Sequence, residues 1–528
     1  MADKPSYFYA PLSAPVVHVL LAACLISAVV RSLRRSYLQL TPAARETISR
    51  YYSRRGRLVA LFAALALAGL LQAAYAGVTY LVLSYKVWAG EHGVDLPERY
   101  AHLHLFWGEN GVFAFSLARN PMLDNVARWL GDVPIYADAW EIGAERVKRQ
   151  WWGRQLDLGV LPWTLLLAIE GRGRRVPFTW AYLGLAHLVG LSFGQNLFYL
   201  ALLLTPRPVV AIANDGLPAS RRAAIRDAIS PPKPLNWCPH PGLFLISYAF
   251  SALSLCFPLP LVVTLSLARQ VLLTRALTFV PLLLPMVVPK SWGTVHHHPH
   301  HARSSFTALF QVISAASLVL HGSISLRSLL SGSVLDHDHR HSGVMLVDTE
   351  RRDAWDRTTL GFGKILSAGH GHPVVAGASR DVLLSALSLG LWAAVRAIDA
   401  RDVLRSSVPF YNGSLSPASR PRAPPPETTD ARALLAEELR AESEATAPAR
   451  DQSYEPRPAR RRGRPRKTGA VGEVKVDLEE PANEQPLHVG EEDGAVEWES
   501  AALAWGIAAA GGLGSAAAGV FGGECVSW

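Results

Sequence analysis

Cysteine is scarce: four residues in 528 (Cys24, Cys238, Cys256 and Cys525), unclustered, which excludes a secreted disulfide scaffold. Charge is scarce as well. Charged residues make up 18% of the chain, against roughly 25% in ordinary soluble domains, which excludes a water-soluble enzyme of normal composition. Familiar catalytic signatures are missing too. No HExxH, GxSxG, P-loop or GxGxxG run occurs, and no cofactor is expected.

What fills the chain instead is apolar sequence. Half the residues are hydrophobic and the mean hydropathy is positive, +0.16. Leu58–Tyr85, Phe178–Leu204 and Gly242–Ala268 run without Asp, Glu, Lys or Arg, each longer than the roughly 20 helical residues that cross a bilayer. Ala14–Val30, Phe306–Leu326 and Ser500–Gly523 also qualify. Leu158–Ile169, Val271–Pro289 (with Arg275) and Val382–Ala394 are weaker candidates. The expectation is an all-α, polytopic transmembrane bundle of eight or nine spans over 1–398. A disordered polar linker over 399–499 and a C-terminal transmembrane helix over 500–528 complete it.

Orientation follows from arginine. Only Lys4 precedes the first run, whereas Arg31, Arg34, Arg35, Arg45, Arg50, Arg54, Arg55 and Arg57 follow it. The positive-inside rule places 31–57 in the cytosol and the N-terminus in the lumen, in an endomembrane such as the endoplasmic reticulum. Arg172, Arg174 and Arg175 then fall on the cytosolic side if the second and third runs both cross. The interfacial stretch 86–155 holds a predicted helix over 136–152, with Trp140, Ala144, Val147 and Trp151 on one stripe. It reads either as a surface-lying connector or as a cap over an active-site mouth supplying one carboxylate.

The fourth run carries His187, Ser192, Gln195, Asn196 and Tyr199. In a continuous helix His187 and Gln195 share one face, and Ser192, Asn196 and Tyr199 the neighbouring one. Such a stripe is either hydrogen-bonding glue between helices or the lining of a substrate pocket, and Gln311 and His321 of the seventh run fit either. The histidine groups 296–301 and 336–341 lack a convergent scaffold and flank a span, so no metal site is expected. In the last run Gly511, Ser515 and Gly519 recur every four residues. That spacing suits close packing against the bundle or self-association with a second copy.

From Asp399 to Glu499 the composition turns polar, proline-rich and poor in aromatics, as disordered chains are. Within it, Arg460–Lys467 looks like an AT-hook. Its Arg462-Gly463-Arg464-Pro465 core is what the resemblance assigns to the minor groove of A·T-rich DNA. Counting nine spans from a lumenal N-terminus puts 399–499, with its Asn412-Gly413-Ser414 sequon, in the lumen.

The stretch from Trp151 to Pro206 (Trp-Trp-Gly-Arg-Gln, Leu-Pro-Trp, Ile-Glu-Gly-Arg, Ser-Phe-Gly-Gln-Asn-Leu-Phe-Tyr, Leu-Thr-Pro) resembles polytopic membrane proteins of filamentous fungi. Some of those are similar to the membrane-bound terpene cyclases of meroterpenoid pathways. The resemblance covers about a tenth of the chain. It implies a buried carboxylic acid that protonates a lipophilic, isoprenoid-like substrate, and the nearest candidates are Glu170, Asp157 and Glu109. Glu170 has a competing role as an ion-pair partner of Arg172 or Arg174. Three classes remain open: a cyclising membrane enzyme, a membrane-anchored scaffold whose tail binds DNA or another partner, and a transporter. Membrane lipids are the expected surroundings in each.

Overall fold

The computed structural model describes residues 10–38, 49–94, 121–205, 237–256, 267–295, 299–333, 354–396, 398–408 and 498–526. Helices α1 (Ala10–Leu38) and α2 (Ser49–Glu91) open the chain, followed by the short α3 (Pro121–Asp132) and α4 (Ile135–Glu145). Next come α5 (Val147–Gly173), α6 (Thr179–Leu188) and α7 (Leu191–Leu204). Strand β1 (Trp237–Pro239) leads into α8 (Pro241–Cys256), α9 (Leu267–Leu277) and α10 (Val280–Val287), and strand β2 (Gly293–Val295) closes that segment. The remaining helices are α11 (Pro299–Ser333), α12 (Ala354–Ala368), α13 (Pro373–Val395), α14 (Ala400–Ser407) and α15 (Trp498–Val526).

The fold is all-α apart from the two three-residue strands. Among the described residues five helices are long and apolar enough to cross a membrane: Ala14–Leu38, Gly56–Glu91, Ser305–Leu330, Pro373–Val395 and Trp498–Cys525. The chain is therefore read as an integral membrane protein.

Eight or nine unbroken spans are not found among the described residues, and the reasons are local. Phe178–Leu204 is two helices, interrupted at Gly190. Val271–Pro289 is a pair bent by 46°. In Gly242–Ala268 the helix is described only to Cys256. The predicted helix over 136–152 is also two, because Arg146 is extended (φ −118°, ψ 133°) between α4 and α5. The polar linker expected from Asp399 starts later than predicted, because Asp399 caps the helix α14 (Ala400–Ser407, placed below) and Val403, Ser406 and Ser407 are buried against α15. Residues 409–497, with the sequon and the AT-hook-like octet, lie outside the described residues, as does Glu109.

α15 sits at the centre, against α5, α11, α13 and α14, and glycine and alanine make that possible. A β-carbon at Gly514 would meet the Leu158 carbonyl, and one at Gly522 would meet Ser406 and Phe310. Without β-carbons the backbones approach closely, which substitutes for the hydrophobic driving force that lipid does not supply. Gly511, Ser515 and Gly519 are buried in this packing: Ser515 Oγ lies 2.8 Å from Ser314 Oγ, and Gly519 sits beside Ser407.

Several helices end together. Arg174 donates to Leu202 O (2.9 Å) and Thr205 O (3.3 Å), and Trp392 of α13 stacks on Tyr199 of α7 at 4.3 Å. Arg396 and Glu524 close this end with a buried ion pair. Leu204 and Thr205 share a cleft with Arg31 and Arg35 of α1. We call this the arginine end.

Candidate functional site

Helices α6 and α7 form a tight hairpin. Tyr182 and Phe198 are 16 positions apart, which in a straight helix is roughly 24 Å, yet their ring centres lie 5.6 Å apart. Arg174, just before α6, bonds the last carbonyls of α7, so both arms start and finish at the arginine end. Gly194 fits against Tyr182 O and Ala186 where a side chain would not. The two arms are antiparallel, so the chain enters and leaves the hairpin at the same end.

At its tip the backbone must be satisfied internally, since no water lies in hydrocarbon. Asp381 of α13 does this. Leu191 N–H donates to Asp381 Oδ2 at 2.8 Å and Ser192 N–H donates to Oδ1 at 2.9 Å, so the carboxylate caps the positive end of α7. The tip reaches the level of Gly159, near the midpoint of α5, which spans roughly 40 Å as 27 helical residues.

A second interruption lies at that level. Gly512 in α15 has φ 80° and ψ 167°, a region open to glycine alone. Leu191 from the hairpin and Leu513 from α15 both close on Gly159. Gln155 and His321 fill the notch beside Gly512 and hydrogen-bond at 3.1 Å.

The bent pair α9–α10 is the third. His187 Nε2 lies 2.8 Å from Thr278 Oγ1, and Thr278 Oγ1 donates to Arg275 O at 2.6 Å. A hydroxyl has one proton, so Thr278 accepts from His187 and Nε2 carries the ring proton. Arg275 donates to His187 O at 3.2 Å, with its guanidinium 5.9 Å from the Trp140 ring centre. β1 and β2 pair antiparallel (Trp237 with Val295), and Arg172 lies over Trp237 at 5.0 Å. The strands that bracket the described stretches 241–256 and 267–287 thus both lie at the arginine end.

Between these elements lies a cavity of about 300 Å³. Trp140 and Gly143 of α4 roof it, Leu191 and Asp381 border the hairpin tip, and Asp157 and Arg275 face each other's charge across it. The Asp157 side chain is 42% exposed, and its nearest ion-pair partner, Arg154, is 4.0 Å away. Outside the spans, burial and neighbouring Glu141 hold Asp138 above the usual carboxylate range. Burial and then Arg149 hold His372 below the usual imidazole range.

The sequence-predicted residues separate into groups. Asp157 and His187 line the cavity. Glu170 does not; it binds Arg174 at 2.9 Å and braces the base of the hairpin. The interruption at Gly190 leaves His187 on a different arm from Ser192, Gln195, Asn196 and Tyr199, so the continuous stripe expected of one helix does not exist. Those four are buried between helices. Gln195 donates to Tyr199 OH at 2.6 Å, and Asn196 donates to Ser388 Oγ at 2.9 Å. Gln311 instead donates to Arg405 O at 3.0 Å. No group of three His, Cys, Asp or Glu suited to a metal occurs among the described residues. Asp381, Arg275 and Gly512 were not picked out from sequence as site residues.

Five helices long and apolar enough to cross a membrane mark an integral membrane protein, and the cavity between the interrupted helices is its candidate site. Comparison with protein-family models, with characterised proteins and with solved structures finds no match. Neither the fungal cyclase resemblance nor the AT-hook resemblance draws support from a relative.

Proposed function

We propose that the chain moves a small polar or charged solute across its membrane through the cavity beneath α4. The observation that carries this is the meeting of three interrupted elements at one level, at Gly190, Thr278 and Gly512. Transporters place substrate sites near mid-membrane where broken helices expose backbone groups and helix ends. In this reading α1, α2, α5, α11 and α13 cross, while 179–204 and the described stretches 241–256 and 267–287 enter and return. So does α15, whose Trp505 and Glu524 both bond the C-terminal half of α13 on either side of Gly512. Asp157 and Arg275 offer the solute one charge of each sign.

The enzymatic reading has one supporting feature, Asp157 under a capping helix. Against it, Trp140 is the one aromatic among the lining residues, too few to guide a carbocation.

Substituted-cysteine labelling separates the two. With the four native cysteines changed to serine, Ala378→Cys places a thiol on the cavity wall. The transport reading expects reaction with a membrane-impermeant thiosulfonate added to either face of sealed vesicles. Labelling from neither face, with product formed from an epoxidised isoprenoid and lost in Asp157→Asn, would support the cyclase instead.

A further inference from the structure

We propose that the cleft at the arginine end binds a phosphate group, carried by an anionic phospholipid. This inference is independent of the transport reading. The cleft has a volume of about 710 Å³ and lies between the end of α1 and the turn joining α5 to α6. Arg31 and Arg35 enter it from successive turns of α1, and Arg175 enters from the opposite wall, with the Ser36 and Thr205 hydroxyls beside them.

Three guanidinium groups on two separate elements repel one another unless an anion lies between them. No carboxylate of the described residues pairs with any of the three; Glu170 is committed to Arg174. Arg31 uses its Nε–H on Ser27 O, which leaves the paired NH groups of its fork. Planar forks match the oxygens of a phosphate two at a time.

Backbone strain points to the same place. Arg175 (φ 55°) and Phe178 (φ 57°) are the two non-glycine residues with positive φ among the described residues, and both lie in this turn. Strained residues cluster at ligand clamps. Here the strain presents Arg175 to the cleft and Phe178, 48% exposed, beside it.

The ligand's apolar part is indicated by the surroundings. Phe178 and Leu204 line the cleft, and Val30, Leu38 and Trp180, each within two residues of a lining residue along the chain, are exposed apolar side chains on helices that face lipid in the membrane reading. Basic pockets between helices at the headgroup level take anionic lipids in this way. A free phosphate would use the arginines and ignore the apolar rim.

The test uses the full chain in detergent, titrated with phosphatidic acid or phosphatidylcholine and read by native mass spectrometry. The expected result is preferential retention of phosphatidic acid, weakened about tenfold in Arg31→Gln/Arg35→Gln by the loss of charge-assisted hydrogen bonds. Arg34→Gln, on the same exposed turn but outside the cleft, leaves retention unchanged. If the double variant fails to elute as the wild type does, Arg175→Lys is read instead; it keeps the charge, removes the fork and weakens retention. Equal retention of both lipids overturns the proposal, as does an equal loss in Arg34→Gln. Displacement of the lipid by millimolar inorganic phosphate reassigns the site to free phosphate and overturns the lipid source.

Discussion

Asp381 and Leu191 are 190 positions apart in sequence, yet a carboxylate oxygen of the first accepts the amide proton of the second at 2.8 Å. The contact fixes where the hairpin tip stops inside the bundle. Asp381→Ala would leave two buried N–H groups without acceptors, at roughly 1–3 kcal/mol each. The expected outcome is a loss of about 2–6 kcal/mol, visible as a large drop in the thermal midpoint of the detergent-solubilised protein. Asp381→Asn, which keeps one acceptor oxygen, should lose about half as much. Equal midpoints for all three proteins would mean that the hairpin is held elsewhere.

Gly512 and Gly506 lie in the same helix and should respond oppositely to alanine. At Gly512 the new methyl meets His321 and Gln155, and the backbone is in a region closed to side chains. Gly512→Ala should abolish monodisperse elution, or cost about 2–4 kcal/mol through strain and overpacking. At Gly506 nothing lies within 4 Å, so Gly506→Ala should be neutral or stabilising by up to about 1 kcal/mol. A straightened α15 that accepts alanine at both positions would show up as two unchanged elution profiles.

The hairpin also changes the topology count. Because 179–204 returns to the arginine end, α13 delivers Arg396 to the same end as Arg35. In a background without the native cysteines, Arg35→Cys and Arg401→Cys should both react with an impermeant maleimide in one vesicle orientation and neither in the other. Labelling from opposite faces would restore the full crossing expected of Phe178–Leu204.

His372 caps α13 by accepting the Val374 amide on Nδ1 at 3.3 Å, which requires an unprotonated nitrogen there. Burial, and then Arg149, lower its folded-state pKa. The unfolded chain therefore binds the proton first as pH falls. The cap's contribution is complete above the unfolded value of about 6.5 and is lost progressively below it. The thermal midpoint of the wild type should fall between pH 7.5 and pH 5, and His372→Asn, a cap that does not titrate, should flatten that slope. An identical slope in the variant would assign the pH dependence to other groups.

The membrane class was legible from uncharged runs alone, because hydropathy averages over twenty residues and needs no geometry. The interruptions were not legible, for the same reason. Gly190 and Gly512 sit inside apolar runs, where a window average treats glycine as weakly apolar and cannot register its backbone angles. Asp381 was visible but read as the edge of Val382–Ala394. The His372-Pro373 pair, a cap followed by proline at the first turn, marks the true start of α13 and puts Asp381 well inside the helix. Glu170 was legible as an ion-pair partner because Arg174 is one turn away. Arg275 was seen only as a blemish in a weak span, since nothing local announces that His187 and Trp140 surround it.

The central position of α15 also bears on the order of synthesis. Every helix it touches is translated earlier, and residues 409–497 are made in between. At about 5–20 residues per second the bundle waits on the order of ten seconds with its middle unfilled. During that interval the faces of α5, α11 and α13 around Leu158, Ser314 and Trp392 are exposed to lipid or to one another. A ribosome stalled before residue 498 should therefore leave a membrane-inserted but unclosed intermediate, open to capture by quality control.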